Sequence, residues 1–448
     1  MGEQKPYRHL LSVLSLLLYI AIGYGIERHQ TLPLFVCYFA VFFLYIHIVA
    51  KHQTIKEGEL KFWIGAAVVF RASILFAIPA LSDDFYRFIW DGRLLAAGYH
   101  PFAEVPSFYM SQPVSIPGIN AALYNHLNAT ETFTVYPPLA QFIFWLCVTL
   151  SPESVYGSVI AMKVVILCFE IATLWILSKV LREFKQPPTA VLLYALNPLV
   201  ILELTGNLHF EGIMIFFLLG GIWFLGVEGK RFLSPMAYAL SICTKLIPLL
   251  FLPLLVRHLG WKKALLHWMM TTTFTVLLFF PLLNMEIVHG LSTSLGYYFQ
   301  RFEFNASIYY LIREAGYIIA GFNIIQYAGP FLAVIAAILI FSICFRNLPA
   351  TSSGTLDSKL FKEMLWCLFI YFLSTAILHP WYIITLLAVS AMTPYRFPMV
   401  WTGVIFLTYA GYTETTFKEN LPLVALEYAI VIAYLIYETV WTRQRNHS

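Results

Sequence analysis

A chain of 448 residues in which 60% of side chains are hydrophobic and only 12% are charged is no ordinary soluble domain, which would carry about twice that charged fraction. Its net charge of +4 is spread thinly with no basic stripe, which argues against nucleic acid as a partner. All six cysteines fall in apolar stretches and none forms a CxxC pair, which argues against structural disulfides and thiolate metal sites.

The runs Leu10–Ile26, Thr31–Ala50 and Phe62–Leu81 are each long enough to cross a hydrocarbon core of roughly 30 Å. The first is longer than a signal-peptide core and lacks a small-residue cleavage site, so it reads as a retained span. Basic residues near span ends set orientation. Lys5 and Arg8 place the N-terminus in the cytoplasm, as Lys51, Lys56 and Lys61 place the second connection. The third span then delivers Asp83 and Asp84 to the external side. Residues 82–135 form a long external loop rich in Pro, Tyr, Phe, Asn and Ser. The run Pro137–Leu150 is short for a crossing and reads as a partial or tilted helix.

Ser158–Val180 ends on Lys179, Arg182 and Lys185, a cytoplasmic signature, and Thr189–Leu204 returns outward to present Asn207, His209 and Glu211. Phe232–Val256 contains Lys245, Pro248 and Pro253 and has basic residues at both ends. That predicts two half-helices in a re-entrant hairpin, because irregular backbone survives at membrane depth only inside protein. Ala264–Leu283 exits to a second external loop at 284–305. Spans follow at Gln326–Phe345, Met364–His379, Trp381–Met392, Phe397–Gly411 and Pro422–Trp441, with a cytoplasmic linker at 347–358. The expected architecture is one all-α polytopic bundle over residues 1–448, with about 12 spans by the basic-residue pattern.

Under this topology one face collects Asp83, Asp84, Arg87, Asp91, His100, His209, Glu211, Arg301, Glu303 and His379. Ionisable groups so close to lipid are expensive, and they mark a functional site by default. The bland reading of Asp83–Asp91 is a solvated helix start, since acidic residues suit a first turn. Yet Asp84, Arg87 and Asp91 are spaced three and four apart and share one helical face, and a cap needs one acid rather than three. His209 and Glu211 beside glycines fit a turn as well as a ligand site, and an HxE pair alone is weak evidence for metal. His379-Pro380-Trp381-Tyr382 is explained in part as a Pro-made turn in the aromatic belt, which leaves the histidine unexplained. Lys163, Glu170 and Arg71 lie inside spans and are expected to find partners in the bundle.

These segments together resemble the GT-C superfamily of polytopic glycosyltransferases, and among them the bacterial polyprenol-phosphate-mannose-dependent mannosyltransferases of glycosyltransferase family 87 and relatives. The likeness rests on Asp83-Asp84-Phe85-Tyr86-Arg87 with Trp90-Asp91-Gly92, Gly98-Tyr99-His100-Pro101-Phe102, and Tyr136-Pro137-Pro138-Leu139. Asn197-Pro198 with Glu203 and Gly206-Asn207-Leu208-His209, Thr244-Lys245 with Pro248, Arg301 with Phe304-Asn305, and His379-Pro380-Trp381-Tyr382 follow in order. Three apolar runs precede the acidic loop here, where the minimal pattern has one. The resemblance implies a catalytic base in the first external loop, carried onto Asp84 with Asp83 as the other candidate. It also implies mannose as the sugar and the external face of a bacterial inner membrane as the location. Tyr136, Asn207 and Asn305 join Asp91, His100, His209 and Glu211 as expected cavity residues.

Physical reasoning runs alongside. Outside the cytoplasm there are no nucleotide sugars, so an activated sugar arrives on a lipid carrier. The expected partners are a polyprenyl-phosphate-linked donor, a glycan, glycolipid or protein acceptor, and the bilayer, with no cofactor and no metal required. A base takes the acceptor proton, and Arg87, Arg301, His379 or Tyr382 meets the donor's phosphate and sugar. The competing classes are a secondary transporter, which binds at the midplane between repeated halves, and a lipid-linked-sugar flippase. The one-sided polar cluster and the lack of a repeat favour the enzyme.

Overall fold

The computed structural model describes residues 4–50, 55–113, 115–227, 230–346 and 357–445; Lys51 and residues 347–356 of the expected linker lie outside the described residues. Among the described residues the regular structure is helical, and the only extended pairings are two isolated bridges. Lipid demands this of so apolar a chain, because each N–H and C=O must be satisfied within its own segment.

Among the described residues six helices are long and apolar enough to cross a membrane: Pro6–Gly25, Thr31–Val49, Val155–Glu183, Trp261–Leu282, Ile325–Phe345 and Leu421–Val440. A bent pair, Pro188–Ala195 and Pro198–Gly206 at 55°, makes a seventh if it acts as one span. The bend falls at Asn197, whose side chain caps Leu199 and Val200 and donates to Thr402 Oγ1 at 2.8 Å. Other apolar helices are shorter, including Pro138–Leu150, Glu211–Gly226 and Phe397–Gly411. The chain is an all-α integral membrane bundle, and the expected spans are not all full-length helices among the described residues.

The short helices build the site. Asp84–Ala96 packs on Pro138–Leu150, with Phe88 stacked on Phe144 at 4.6 Å. Gly92 permits this approach: a Cβ there would stand 2.7 Å from the Phe144 carbonyl oxygen. The 13 residues of Pro138–Leu150 reach only about 20 Å, so it is the partial helix its length implies. Pro138 starts it, and the Leu139 N–H, which a helix would leave orphaned, donates to the Cys243 carbonyl at 2.9 Å.

The expected hairpin segment Phe232–Val256 is broken into short helices, Ser234–Ile242 before Lys245 and Ile247–Phe251 with Leu254–Leu259 after it. Pro248 and Pro253 deny the chain a continuous helix. Both ends return to the Trp261–Phe279 helix: Ser234 Oγ lies 3.0 Å from His267 Nε2, and Leu259 directly precedes that helix. Interior charges are matched as expected. Arg71 Nε bonds Glu170 at 2.9 Å, with both side chains fully buried. Lys163 instead donates to the carbonyls of Ile74 at 3.1 Å and Ala77 at 2.5 Å.

Three segments differ from expectation. The third expected span, Phe62–Leu81, is a helix only over Glu57–Ser73, and the chain from Ile74 to Asp83 is turn and irregular backbone. The second loop is largely a helix, Met285–Gln300, followed by an unexpected amphipathic helix, Ile308–Ala320. The span expected to end at His379 stops at Ser374, because the next residues are extended and pair with Phe304. There the Phe304 N–H donates to Ala376 O at 3.0 Å, and the Leu378 N–H to Phe304 O at 2.8 Å.

Candidate active site

Asp83 precedes the Asp84–Ala96 helix and Asp84 is its first residue. Asp83 forms an ion pair with Arg28, from the loop between the first two helices. The Arg28 guanidinium also lies 4.7 Å over the ring of Tyr412. Asp84 has a different environment. It accepts a hydrogen bond from Asn128 Nδ2 at 2.9 Å, and no ion pair to it is found among the described residues. Burial holds its carboxyl above the usual carboxylate range, and the Asn128 bond and the positive charge of Lys245 pull it partway back.

Lys245, at the break in the 232–256 segment, pairs with Glu211, the first residue of Glu211–Gly226. Its ammonium lies 5.1 Å over the ring of Tyr382. Trp381 stacks on His209 at 3.6 Å and on His379 at 4.5 Å, and the Phe304 ring is 4.5 Å from His379. Burial, reinforced by the charge of Lys245, pushes His379 down to about 3. The same causes, with His379 adding to them, hold His209 well below the ordinary histidine range. Both imidazoles are therefore neutral at working pH. His209 Nε2 is 3.4 Å from Glu203, which accepts from the Tyr409 hydroxyl at 2.5 Å. Glu203 lies in a single turn of π-helix, Ile201–Gly206, a distortion often found at functional sites.

The arrangement is a partly desolvated carboxylate near an ammonium, with Tyr136, Tyr298 and Tyr382 close to Asp84. It can accept a proton from a hydroxyl and stabilise an anion formed nearby. Among the described residues no three His, Cys, Asp or Glu side chains are grouped so as to hold a metal ion.

A family model described as "Alpha-(1->6)-mannopyranosyltransferase, N-terminal domain" matches residues 12–260, more than half of the chain, and takes in Asp84, Glu211 and Lys245. The chain belongs to this MptA_B family.

Three relatives carry the family's name. Alpha-(1->6)-mannopyranosyltransferase A of Corynebacterium glutamicum is 26% identical over 201 residues, covering 44% of this chain and 38% of that protein. Alpha-(1->6)-mannopyranosyltransferase A of Mycobacterium tuberculosis is 27% identical over 205 residues, or 44% of this chain and 37% of the relative. Alpha-(1->6)-mannopyranosyltransferase B of Corynebacterium glutamicum is 28% identical over 186 residues, or 40% and 28%. The match thus spans well under half the length of these curated relatives. The motif resemblance and the family agree at the level of a GT-C mannosyltransferase family.

Of the residues expected at the site, the structure gathers Asp84, His209, Glu211, His379 and Tyr382 around Lys245, with Tyr136 beside Asp84. Others are engaged nearby in holding the fold. Arg87 Nε bonds Asp91 at 2.8 Å, and its Nη1 donates to the carbonyls of Ala129 and Thr132 at 3.2 and 3.0 Å, which anchors the loop carrying Asn128. Asp91 also accepts from Gln141 at 3.0 Å. Asn207 accepts from the Leu81 N–H at 3.0 Å and so fixes the approach to Asp83. His100 Nε2 lies 3.0 Å from the Leu282 carbonyl, away from Asp84. Asn305, at a left-handed φ of 46°, bonds Glu427 at 3.2 Å. Arg301 is exposed at the end of Met285–Gln300 and forms no ion pair among the described residues; its neighbour Phe302 is 6.2 Å from His379.

Sequence reasoning assigned no site role to Lys245, Arg28, Asn128 or Glu203. For Lys245 a signal existed. A lone lysine between prolines in an apolar run is costly unless a carboxylate awaits it, and Glu211 was already on the same face.

Proposed function

We propose that this chain transfers a mannosyl group from a polyprenyl-phosphate carrier to a hydroxyl of a glycan, glycolipid or protein acceptor. The reaction takes place at the external face of the bacterial plasma membrane and inverts the anomeric centre. The observation that carries this reading is the division of labour at the acidic pair: Arg28 occupies Asp83, whereas Asp84 is left near Lys245 with its pKa raised.

The chemistry follows from that geometry. The acceptor oxygen attacks the anomeric carbon as the bond from that carbon to the carrier's phosphate oxygen breaks. Asp84 takes the acceptor proton, and its raised pKa makes it a better base near neutral pH. The electron pair leaves with the polyprenyl phosphate, and Lys245 and Arg301 receive the growing charge. His379, being neutral, contributes a hydrogen bond rather than a charge. Tyr382 and Tyr136 flank the sugar, and Arg87 acts through the loop it anchors. The relatives' printed names support mannose.

The test uses purified protein in lipid vesicles with labelled polyprenyl-phosphate mannose and a mannoside acceptor. Labelled product is expected from the wild type, with the anomeric configuration opposite to the donor's, and is expected to be lost in Asp84→Asn. Undiminished transfer by Asp84→Asn, or transfer only from a donor carrying another hexose, would overturn the reading.

A further inference from the structure

A second cavity, of about 430 Å³, opens between the end of the first helix, the turn at 76–80 and the start of the Val155–Glu183 helix. Tyr24, Glu27, Gln30, Phe76, Ile78 and Tyr156 line it, and it shares no lining residue with the site around Asp84. It lies at the same end of the bundle: Arg28, next to Glu27, pairs with Asp83, and the 76–80 wall leads into that residue.

The walls are pinned. The Tyr24 hydroxyl donates to Ser73 O at 3.1 Å, the Tyr156 hydroxyl donates to Phe76 O at 3.0 Å, and Lys163 ties the carbonyls of Ile74 and Ala77 from beneath. The cavity is therefore preformed, and its volume falls within the roughly 300–1,000 Å³ of small-ligand sites.

Its chemistry is specific. Tyr24, Phe76 and Tyr156 are 53%, 58% and 46% exposed. Beside them Glu27 is exposed, with one carboxylate oxygen 3.3 Å from His29 Nδ1 and the other directed to solvent, and Gln30 accepts from the Glu27 N–H at 3.0 Å while its amide nitrogen has no partner among the described residues. Flat aromatic faces suit the C–H face of a pyranose. A carboxylate accepts from two adjacent hydroxyls, and an amide nitrogen donates to a third.

We infer that this cavity is an acceptor subsite that binds a saccharide unit remote from the hydroxyl under attack; the inference rests on the mannosyl transfer proposed above. The Arg28–Asp83 pair stands between this cavity and Asp84 in the chain's contacts, so a single acceptor sugar at Asp84 has no second unit to place in it, whereas a chain of linked sugars has one. The enzyme would then hold long acceptors better than short ones.

The test compares Phe76→Ala and Glu27→Gln with the wild type in vesicles, using methyl mannoside and an α-1,6-linked mannotetraose as acceptors. Saturation-transfer NMR measures tetraose binding without donor. The expected result is a tenfold or greater rise in tetraose KM in both variants, with methyl mannoside kinetics and donor KM unchanged. Equal losses with both acceptors, a changed donor KM, or no change at all would overturn the subsite. If the wild type transfers nothing yet binds tetraose and the variants bind it tenfold more weakly, the transfer reading fails and the subsite stands. Glu27→Gln changes no packing and breaks only an exposed pairing with His29, and a thermal midpoint equal to the wild type's shows that it folds.

Discussion

Arg28 pairs with Asp83, and through that pair two adjacent carboxylates acquire different chemistry. Asp84 accepts from the Asn128 amide at 2.9 Å and forms no ion pair among the described residues. Asp84→Asn should therefore lower kcat by about 10²–10⁴, the usual cost of losing a general base, with donor binding retained. Asp83→Asn should cost less in kcat and act through stability, because it removes the partner of a half-buried guanidinium. Single-turnover rates with matched thermal midpoints separate the two. A dead Asp83→Asn beside a working Asp84→Asn would move the base to Asp83.

Lys245 tunes this base through charge. A base works only when unprotonated, so the rate rises with pH as its carboxyl ionises. Burial moves that rise upward and Lys245 moves it back down. Lys245→Met should therefore shift the acidic limb of the kcat profile to higher pH and also reduce kcat. His379 sits at about 3 and adds no limb of its own, so His379→Gln should keep the profile's shape. Arg301→Ala should raise donor KM tenfold or more, roughly 1.4 kcal/mol, without moving the limb. An unmoved limb in Lys245→Met would separate Lys245 from the base.

Much of the scaffold was legible in the sequence because lipid leaves few options. Apolar length marked the long helices, and interior prolines marked the segment 232–256 as broken. That Arg71 and Glu170 would find partners followed from the cost of burying charge; that they would find each other did not. The roles inside the polar cluster were less legible. Arg87 and Asp91 share a helical face as their spacing requires, but they bond each other at 2.8 Å, and sequence spacing does not show that. The charge state of His379 depends on Trp381, Phe304 and Lys245 closing around it, and Lys245 lies 134 positions away in the chain (379 minus 245). The Ile308–Ala320 helix was missed because the sequence search looked for spans, and this one is short and amphipathic.

Lys163 positions the acidic pair from below. It is fully buried, and its ammonium bonds the carbonyls of Ile74 and Ala77, in the turn that leads to Asp83. Lys163→Met should leave the Ala77 carbonyl short of a donor, at about 1–3 kcal/mol, while the Ile74 carbonyl keeps the Ala77 N–H at 3.3 Å. Thermal midpoint and kcat should fall together, with donor KM little changed. Lys163→Gln, whose amide still donates, should recover part of both. A Met variant with normal kcat and a lowered midpoint would leave Lys163 a purely structural role.

Glu419 should make stability depend on pH through the second external arm. Its carboxylate accepts from the Asn305 N–H at 2.5 Å and from the Tyr310 hydroxyl, next to the segment that pairs with the His379 strand. Burial raises its pKa from 4.5 to about 7, although the Asn305 N–H pulls the other way. The folded state therefore holds this proton more tightly than the unfolded chain does. Stability from this group is full below about 4.5, falls as pH rises towards 7, and is level above that. At about 1.4 kcal/mol per pH unit the fall is on the order of 3 kcal/mol. Glu419→Gln keeps an acceptor for the Asn305 N–H but cannot ionise. The thermal midpoint of the wild type, measured in detergent, should decline relative to this variant between pH 4.5 and 7 and run parallel above. Parallel curves across the whole range would mean that Glu419 is already ionised in the folded protein at the acid end.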